Sequence, residues 1–204
     1  HFMAEQITHG QWIMWRTALS KRARVLDVGC GMGGNLIPFK WKGHETIGCD
    51  WGEDYAQKGR QLGLDIRVGG LDAVADAGPF DLIICSHVLE HAVDPIDFAQ
   101  SIAGLLAEDG ALYIEVPGLL HIAKTYAGNF LLYLQNAHAW HFTSSTLAAV
   151  LARAGLAIEQ SDESIWCVAK KQAVLRTPWP QDGQRVLNEL LQLENQFTYL
   201  RAAA

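Results

Sequence analysis

Apolar and polar positions change their period several times along the chain, and each change marks an element. Over residues 3–19, Ile7, Trp12, Ile13, Trp15 and Leu19 recur at helical spacing, which predicts a helix that packs on the rest of the fold. Arg24-Val25-Leu26-Asp27-Val28 is a short apolar run ending in glycines and reads as a buried strand. A short helix over 36–42 follows. Glu45-Thr46-Ile47-Gly48-Cys49-Asp50 reads as a second strand ending in an acid, and 53–62 as a helix. The alternation in Leu64-Asp65-Ile66-Arg67-Val68 predicts a third strand. Phe80-Asp81-Leu82-Ile83-Ile84-Cys85 is the most apolar run and is expected at the centre of the sheet. Asp94-Pro95 opens a helix, because the Asp side chain accepts from free N–H groups and proline at the first helical position loses no bond. Phe98, Ile102, Leu105 and Leu106 form its expected buried face. Gly110 then resets the chain into Ala111-Leu112-Tyr113-Ile114-Glu115-Val116, a strand stopped by Pro117. Strand and helix alternate throughout, which implies βαβ units and a parallel sheet.

The stretch 118–142 breaks this rhythm. It is long, aromatic and rich in His and Asn, and long insertions in compact domains commonly serve as lids. Thr143 is placed to cap a helix with Leu147, Val150 and Leu151 facing inward, and Gly155 to end it. Two strands, 156–160 and 165–170, are joined by the turn Asp162-Glu163-Ser164, and so tight a connection joins antiparallel neighbours. After Pro178 and Pro180 a last helix is expected over 181–200. Its stripe Val186, Leu190, Leu193, Phe197 and Leu200 has heptad spacing. Two readings of that stripe stand: a helix docked on its own domain, or a homodimer contact. His1 and Phe2 precede Met3 and are set aside as foreign to the fold.

Composition narrows the class without changing this picture. The chain has 204 residues, 50% hydrophobic and 19% charged, ordinary values for a globular protein with a real core. One α/β domain spanning 1–204 is expected: a core over about 20–171, the insertion at about 118–142 and the added C-terminal helix. No apolar run reaches the ~18 residues that span a bilayer, and no secretory leader is evident, so a cytoplasmic setting is expected. The net charge of −6 argues against a nucleic-acid partner, where a basic face is needed. Cys30, Cys49, Cys85 and Cys167 form no C-x-x-C pair and read as small buried thiols. Lys21, Arg22 and Arg24 read as a solvated basic face.

The candidate chemistry begins at Asp27-Val28-Gly29-Cys30-Gly31-Met32-Gly33-Gly34, after a strand and before a helix. Glycines there permit a tight turn and close backbone approach to a ligand, and a helix N-terminus offers N–H groups. Gly29, Gly31 and Gly34 also satisfy the G-x-G-x-x-G spacing, with Asp50 about 20 residues on. By itself this pattern does not separate a nicotinamide site from another adenosine site.

With its flanks the loop resembles the first motif of class I S-adenosylmethionine-dependent methyltransferases, acid-x-G-x-G-x-G. Gly48-Cys49-Asp50, the run from Phe80 to His91, and Leu106-Ala107-Glu108-Asp109-Gly110-Ala111-Leu112 extend the resemblance over roughly residues 23–170. It implies a Rossmann-like three-layer sandwich whose seven-stranded, mostly parallel sheet has an antiparallel last strand. It also implies S-adenosylmethionine as cofactor and S-adenosylhomocysteine as product. Gly29, Cys30, Gly31 and Gly33 would line the methionine and ribose, with Asp27 ordering the loop or approaching the amino group. Asp50 would accept both ribose hydroxyls, and Trp51 would lie on adenine. Gly70 stands where relatives often carry an acid toward the adenine amino group, so the backbone of Leu71, or Asp72, would take that contact. Ser86 and His87 leave the fourth strand at its carboxyl end, where ligands gather in open α/β sheets.

His138-Ala139-Trp140-His141-Phe142-Thr143 is similar to a His-x-x-His-Phe-Ser/Thr element of methyltransferases that act on glycans and small metabolites. It makes His141, then His138, the catalytic candidates. Glu90-His91 reads as a structural link to the next helix, and Glu115 as a substrate contact or a residue pointing across the sheet. The acceptor implied is a small metabolite methylated on O or C, such as a sugar or a glycan or lipid precursor. No Asn/Asp-Pro-Pro-aromatic motif follows the fourth strand and no Pro-Cys pair is present, which argues against methylation of DNA bases. No clustered carboxylate set is evident, so no metal site is expected. Two other classes stay open: an NAD-dependent oxidoreductase, and a non-catalytic partner subunit that retains the fold.

Overall fold

The computed structural model describes residues 2–19, 21–126, 128–134, 136–162, 165–176 and 178–202, the last six in backbone only. The elements run α1 (Phe2–Thr17), β1 (Arg24–Val28), α2 (Leu36–Trp41), β2 (Glu45–Asp50), α3 (Glu53–Gln61), β3 (Asp65–Val68), β4 (Phe80–Ser86), α4 (Pro95–Leu105) and β5 (Leu106–Glu115). Two short helices, α5 (Ile122–Thr125) and α6 (Phe130–Tyr133), lie within the 118–142 insertion. Then come α7 (Ser144–Arg153), β6 (Leu156–Ser161), β7 (Trp166–Lys171) and α8 (Gly183–Ala202). Phe2 is part of α1 and so belongs to the fold, against the expectation, while His1 lies outside the described residues.

The seven strands form one sheet in the order β3-β2-β1-β4-β5-β7-β6. β7 runs antiparallel to both of its neighbours, and the remaining pairs are parallel. Strand order reverses beside β1, which pairs with β2 on one side and β4 on the other. Both faces are covered, as a parallel sheet requires. Val25, Leu82, Ile84 and Tyr113 pack with Ile13, Leu36 and Phe39 on one face. Leu26, Val28, Ile83 and Cys85 pack with Ala99, Ile102, Leu147 and Leu151 on the other. The four cysteines are buried and free, and burial pushes the Cys49 thiol up to about 11 and Cys167 to about 12.

Asp94 caps α4 by accepting from the N–H groups of Ile96 and Asp97. Thr143 and Thr146 form a reciprocal capping box at α7, and Gly155 leaves that helix at φ +78°. The structure departs from the sequence expectation at β5. That strand begins at Leu106, and Gly110 lies inside it at a register shift against β4. A Cβ on Gly110 would lie 2.7 Å from the Phe80 carbonyl, so the glycine serves close strand approach rather than a turn. Leu106 therefore belongs to the strand, and the buried residues of α4 are Pro95, Ala99 and Ile102. The 162–164 turn falls partly outside the described residues. So do the side chains of Phe197 and Leu200, while Val186, Leu190 and Leu193 of the same stripe are half-buried.

α1 crosses the start of α2 at Gly10, where any Cβ would overlap the backbone of Asn35. Gly10→Ala should therefore cost about 1–3 kcal/mol. Gly104→Ala in α4, where an added methyl meets nothing within 4 Å, should gain about 0.5–1 kcal/mol. Urea midpoints of the two variants check the pair; equal stabilities would contradict the docking of α1.

Candidate active site

The carboxyl ends of β1, β2, β4 and β5 meet along one edge of the sheet, beside the strand reversal. Four features converge there: the glycine loop after β1, Asp50 at the end of β2, the Ser86–His91 segment after β4, and Glu115 at the end of β5.

The loop is held from below. Gly29 and Cys30 both donate their N–H groups to the Cys49 carbonyl, at 2.8 and 3.1 Å. Gly31 N–H donates to Asp50 Oδ2 at 2.8 Å, Gly33 N–H to the Cys30 carbonyl at 2.8 Å, and Gly52 N–H to Asp50 Oδ1 at 2.7 Å. The amides of Gly29, Cys30, Gly31 and Gly33 are thus engaged within the protein, although a helix N-terminus would ordinarily present such groups to a ligand. The glycines serve different needs. Gly29 has φ +66°, and its missing side chain makes room for Val88, whose Cγ2 would lie 2.6 Å from a Cβ. Gly33 makes room for Leu64 and Ile66 of the core. Gly31, at φ +55°, faces open space and is the position free to receive a ligand. Cys30 points inward against Gly48, its Sγ 2.5 Å from where a Cβ would be.

Asp27 is 1% exposed and accepts from Asn35 Nδ2 at 3.4 Å, so its side chain orders the loop from beneath. Burial raises its pKa to about 7, only partly opposed by the Asn35 hydrogen bond and the charge of His9. Trp51 is 77% exposed and lies close to Gly70, where a Cβ would be 3.4 Å from the indole. Leu71 opens the turn behind Gly70 and packs partly on the core, while the Asp72 carboxylate stays exposed.

A polar network extends from this loop to the insertion. His9 of α1 donates from Nδ1 to Asn35 Oδ1 (3.3 Å), and its Nε2 lies 3.0 Å from Glu115 Oε2. Ser86 Oγ and Tyr113 OH each donate to the same Glu115 oxygen at 3.1 Å. Burial opposes the Glu115 charge, yet these donors and the charges of His9 and His87 hold its carboxyl at about 2. His87 adopts φ +57°, strained for a residue with a side chain, and sits between two acids. Its Nδ1 is 3.5 Å from Glu90 Oε1 and its Nε2 3.9 Å from Glu115 Oε1. These acids raise its pKa, Glu90 most, against the effect of burial.

The insertion closes on itself through a bridge between Gly118 and Phe142. It is also tied to the turn after β4. Ala139 and Trp140 donate backbone N–H groups to the Glu90 carbonyl, Trp140 Nε1 donates to the Ala92 carbonyl, and His91 Nδ1 lies 2.8 Å from the Ala137 carbonyl. His138 is turned toward Glu90, its Nε2 4.0 Å from Oε1. His141 is exposed; its ring lies 5.1 Å from Tyr133 and 6.4 Å from His138, and partial burial lowers its pKa. Tyr133 of α6 is fully buried within the insertion, beside Tyr126 and Phe130.

Two parts of this site were not foreseen. His9 occupies the helix stripe Gln6, His9, Gly10, Ile13, a polar residue at an inward position, and that spacing was the available signal. Glu90 and His91 meet His138 across almost fifty residues of sequence, which no local spacing can reveal.

The family model described as a methyltransferase domain matches residues 3–161. A ubiquinone biosynthesis O-methyltransferase of Parvibaculum lavamentivorans is 34% identical over 100 residues, 45% of this chain and 39% of that protein. One from Xanthomonas axonopodis pv. citri is 30% identical over 153 residues, covering 67% of this chain and 64% of that protein. The chain thus spans 39% and 64% of the length of these two relatives. Among solved structures, the magnesium protoporphyrin IX methyltransferase of Synechocystis PCC 6803 with bound SAH superposes with a TM-score of 0.61 at 18% identity, covering 84% of each chain. The CcbJ methyltransferase of Streptomyces caelestis gives 0.65 at 14% identity, covering 83% of this chain and 90% of that one. At such identities the two structures speak for the fold.

Because Asp27 titrates higher folded (about 7) than unfolded (3.8), its burial costs stability increasingly as pH rises from about 4 to 7. Asp27→Asn removes that cost while keeping the oxygen that accepts from Asn35. The variant should be more stable than the parent at pH 8 and equal to it near pH 4, by urea midpoint; a variant less stable at pH 8 contradicts the assignment.

Proposed function

The chain belongs to the methyltransferase-domain family, and on that premise we propose that it transfers a methyl group from S-adenosylmethionine to a hydroxyl oxygen of a small acceptor. The observation that carries the cofactor half is the inward direction of the loop amides. A dinucleotide needs free N–H groups for its pyrophosphate. Here those of Gly29, Cys30, Gly31 and Gly33 are engaged within the protein. A sulfonium cofactor brings no phosphate and needs none of them. The residues fit the rest of such a ligand. Asp50 keeps further lone pairs for two ribose hydroxyls, exposed Trp51 beside Gly70 offers a face for adenine, and open Gly31 admits the methionine part. Ser86, His87 and the acids around them lie toward the acceptor side. A mildly acidic protein also suits a cationic cofactor.

When bound, the cofactor supplies an electrophilic methyl group on sulfur. The protein aligns the acceptor, excludes water and takes up the hydroxyl proton. We assign the last task to His141, whose lowered pKa leaves a neutral imidazole at pH 7. His138 faces Glu90 and is assigned to holding the insertion, which acts as the lid. Exposed Val93, Leu131 and Leu132 give the lid and the turn below it an apolar surface, which favours an acceptor with an apolar body over a bare sugar. Transfer to oxygen rather than carbon is supported by the relatives named O-methyltransferases.

Asp50→Ala should abolish S-adenosylhomocysteine binding in calorimetry; affinity kept within a few-fold refutes the ribose placement. His141→Ala should lower kcat for a methyl acceptor by about 10²-fold or more with cofactor affinity unchanged. An unaltered kcat removes it as the base.

A further inference from the structure

Among the described residues, Glu90 is the one acid that is both buried and without a hydrogen bond. It is 1% exposed, and neither carboxylate oxygen has a hydrogen-bond partner. A buried carboxylate without hydrogen bonds is costly, so such a group calls for compensation. What surrounds it is a set of imidazole nitrogens. His91 Nε2 lies 3.9 Å and His138 Nε2 4.0 Å from Glu90 Oε1, with His87 Nδ1 at 3.5 Å. These separations exceed the ~2.7–3.2 Å of hydrogen bonds. They match the edges of a coordination shell, since ligands about 2.1 Å from one ion lie roughly 3–4 Å apart. One donor atom each from Glu90, His91 and His138 falls within 4.8 Å of the other two.

The outer contacts fit the same reading. His91 Nδ1 is 2.8 Å from the Ala137 carbonyl, so this nitrogen carries the proton and Nε2 presents its lone pair toward Glu90. Metal-ligating histidines are usually oriented by such a bond. The His138 side chain is 6% exposed, and its Nδ1 has no hydrogen-bond partner. Two imidazoles and one carboxylate select a borderline transition ion such as zinc or cobalt over magnesium or calcium.

We propose that Glu90, His91 and His138 bind one divalent transition-metal ion, which clamps the 118–142 insertion to the turn after β4. The ion gives the buried Glu90 carboxylate the direct bond that its neighbours do not provide. It joins two segments far apart in sequence at a point two residues from Val88, which packs on Gly29 of the loop. The site requires no particular activity of the protein, so it stands or falls separately from the methyl-transfer reading.

The test uses the full chain stripped of metal by chelator and titrated with Co²⁺, followed by its visible d–d absorption and by calorimetry with Zn²⁺. One ion per chain is expected, with imidazole-bound cobalt bands and with slower proteolysis inside the insertion when metal is present. His138→Ala and Glu90→Gln should each weaken binding by about tenfold or more, since even residues outside the ligand shell affect affinity on this scale. His141→Ala should bind as the parent does. Circular dichroism of the metal-free variants verifies that they are folded. Absence of stoichiometric binding by the folded parent overturns the proposal. So does equal affinity in parent, His138→Ala and Glu90→Gln.

Discussion

The Asp50 carboxylate is the point on which this site depends. One oxygen accepts from Gly31 N–H and the other from Gly52 N–H, so a single side chain at the end of β2 fixes both the glycine loop and the start of the next segment. The Cys49 carbonyl adds two more bonds to the same loop. Bonds to a charged acceptor are roughly twice as strong as neutral ones, and here they set the loop without using a ligand. The same arrangement bears on what the loop can receive, because the amides of Gly29, Cys30, Gly31 and Gly33 are already engaged while the face at Gly31 is open.

From that anchor the polar groups run in one direction. Asp27 and Asn35 lie under the loop, His9 connects them to Glu115, which also accepts from Ser86, and His87 lies between Glu115 and Glu90. The N-terminal helix is therefore part of the site rather than a covering, and its close crossing at Gly10 is what brings His9 within reach. The insertion completes the other end through backbone bonds to the Glu90 carbonyl. Glu115 and Glu90 are contrasting acids on either side of His87. Glu115 has several donors and a carboxyl held at about 2, whereas the Glu90 carboxylate has no hydrogen-bond partner at all.

Most of the fold could be read from the residues because the physical signals were local. Period changed from two to helical at each boundary, Asp94 and Thr143 carried cap chemistry, and the tight connection before β7 required antiparallel pairing. Gly110 misled because a glycine admits a turn and a close strand approach equally well, and only the neighbouring Phe80 carbonyl distinguishes them. In the loop, spacing grouped Gly29, Gly31 and Gly33 together, yet their missing side chains face Val88, open space and the core respectively. Polar contacts across the chain, such as His9 with Glu115 or Glu90 with His138, depend on tertiary packing and leave no periodic trace. A search for clustered carboxylates also passes over a site built from one acid and two imidazoles.

On the proposed reading, the pinned loop receives an adenosyl ligand bearing sulfur and no phosphate. Calorimetric titration of the unmodified protein with S-adenosylhomocysteine and, separately, with NAD tests it most directly. One S-adenosylhomocysteine per chain is expected to bind in the micromolar range or tighter, with no heat from NAD at millimolar concentration. Saturable NAD binding, or no binding of S-adenosylhomocysteine, would contradict it.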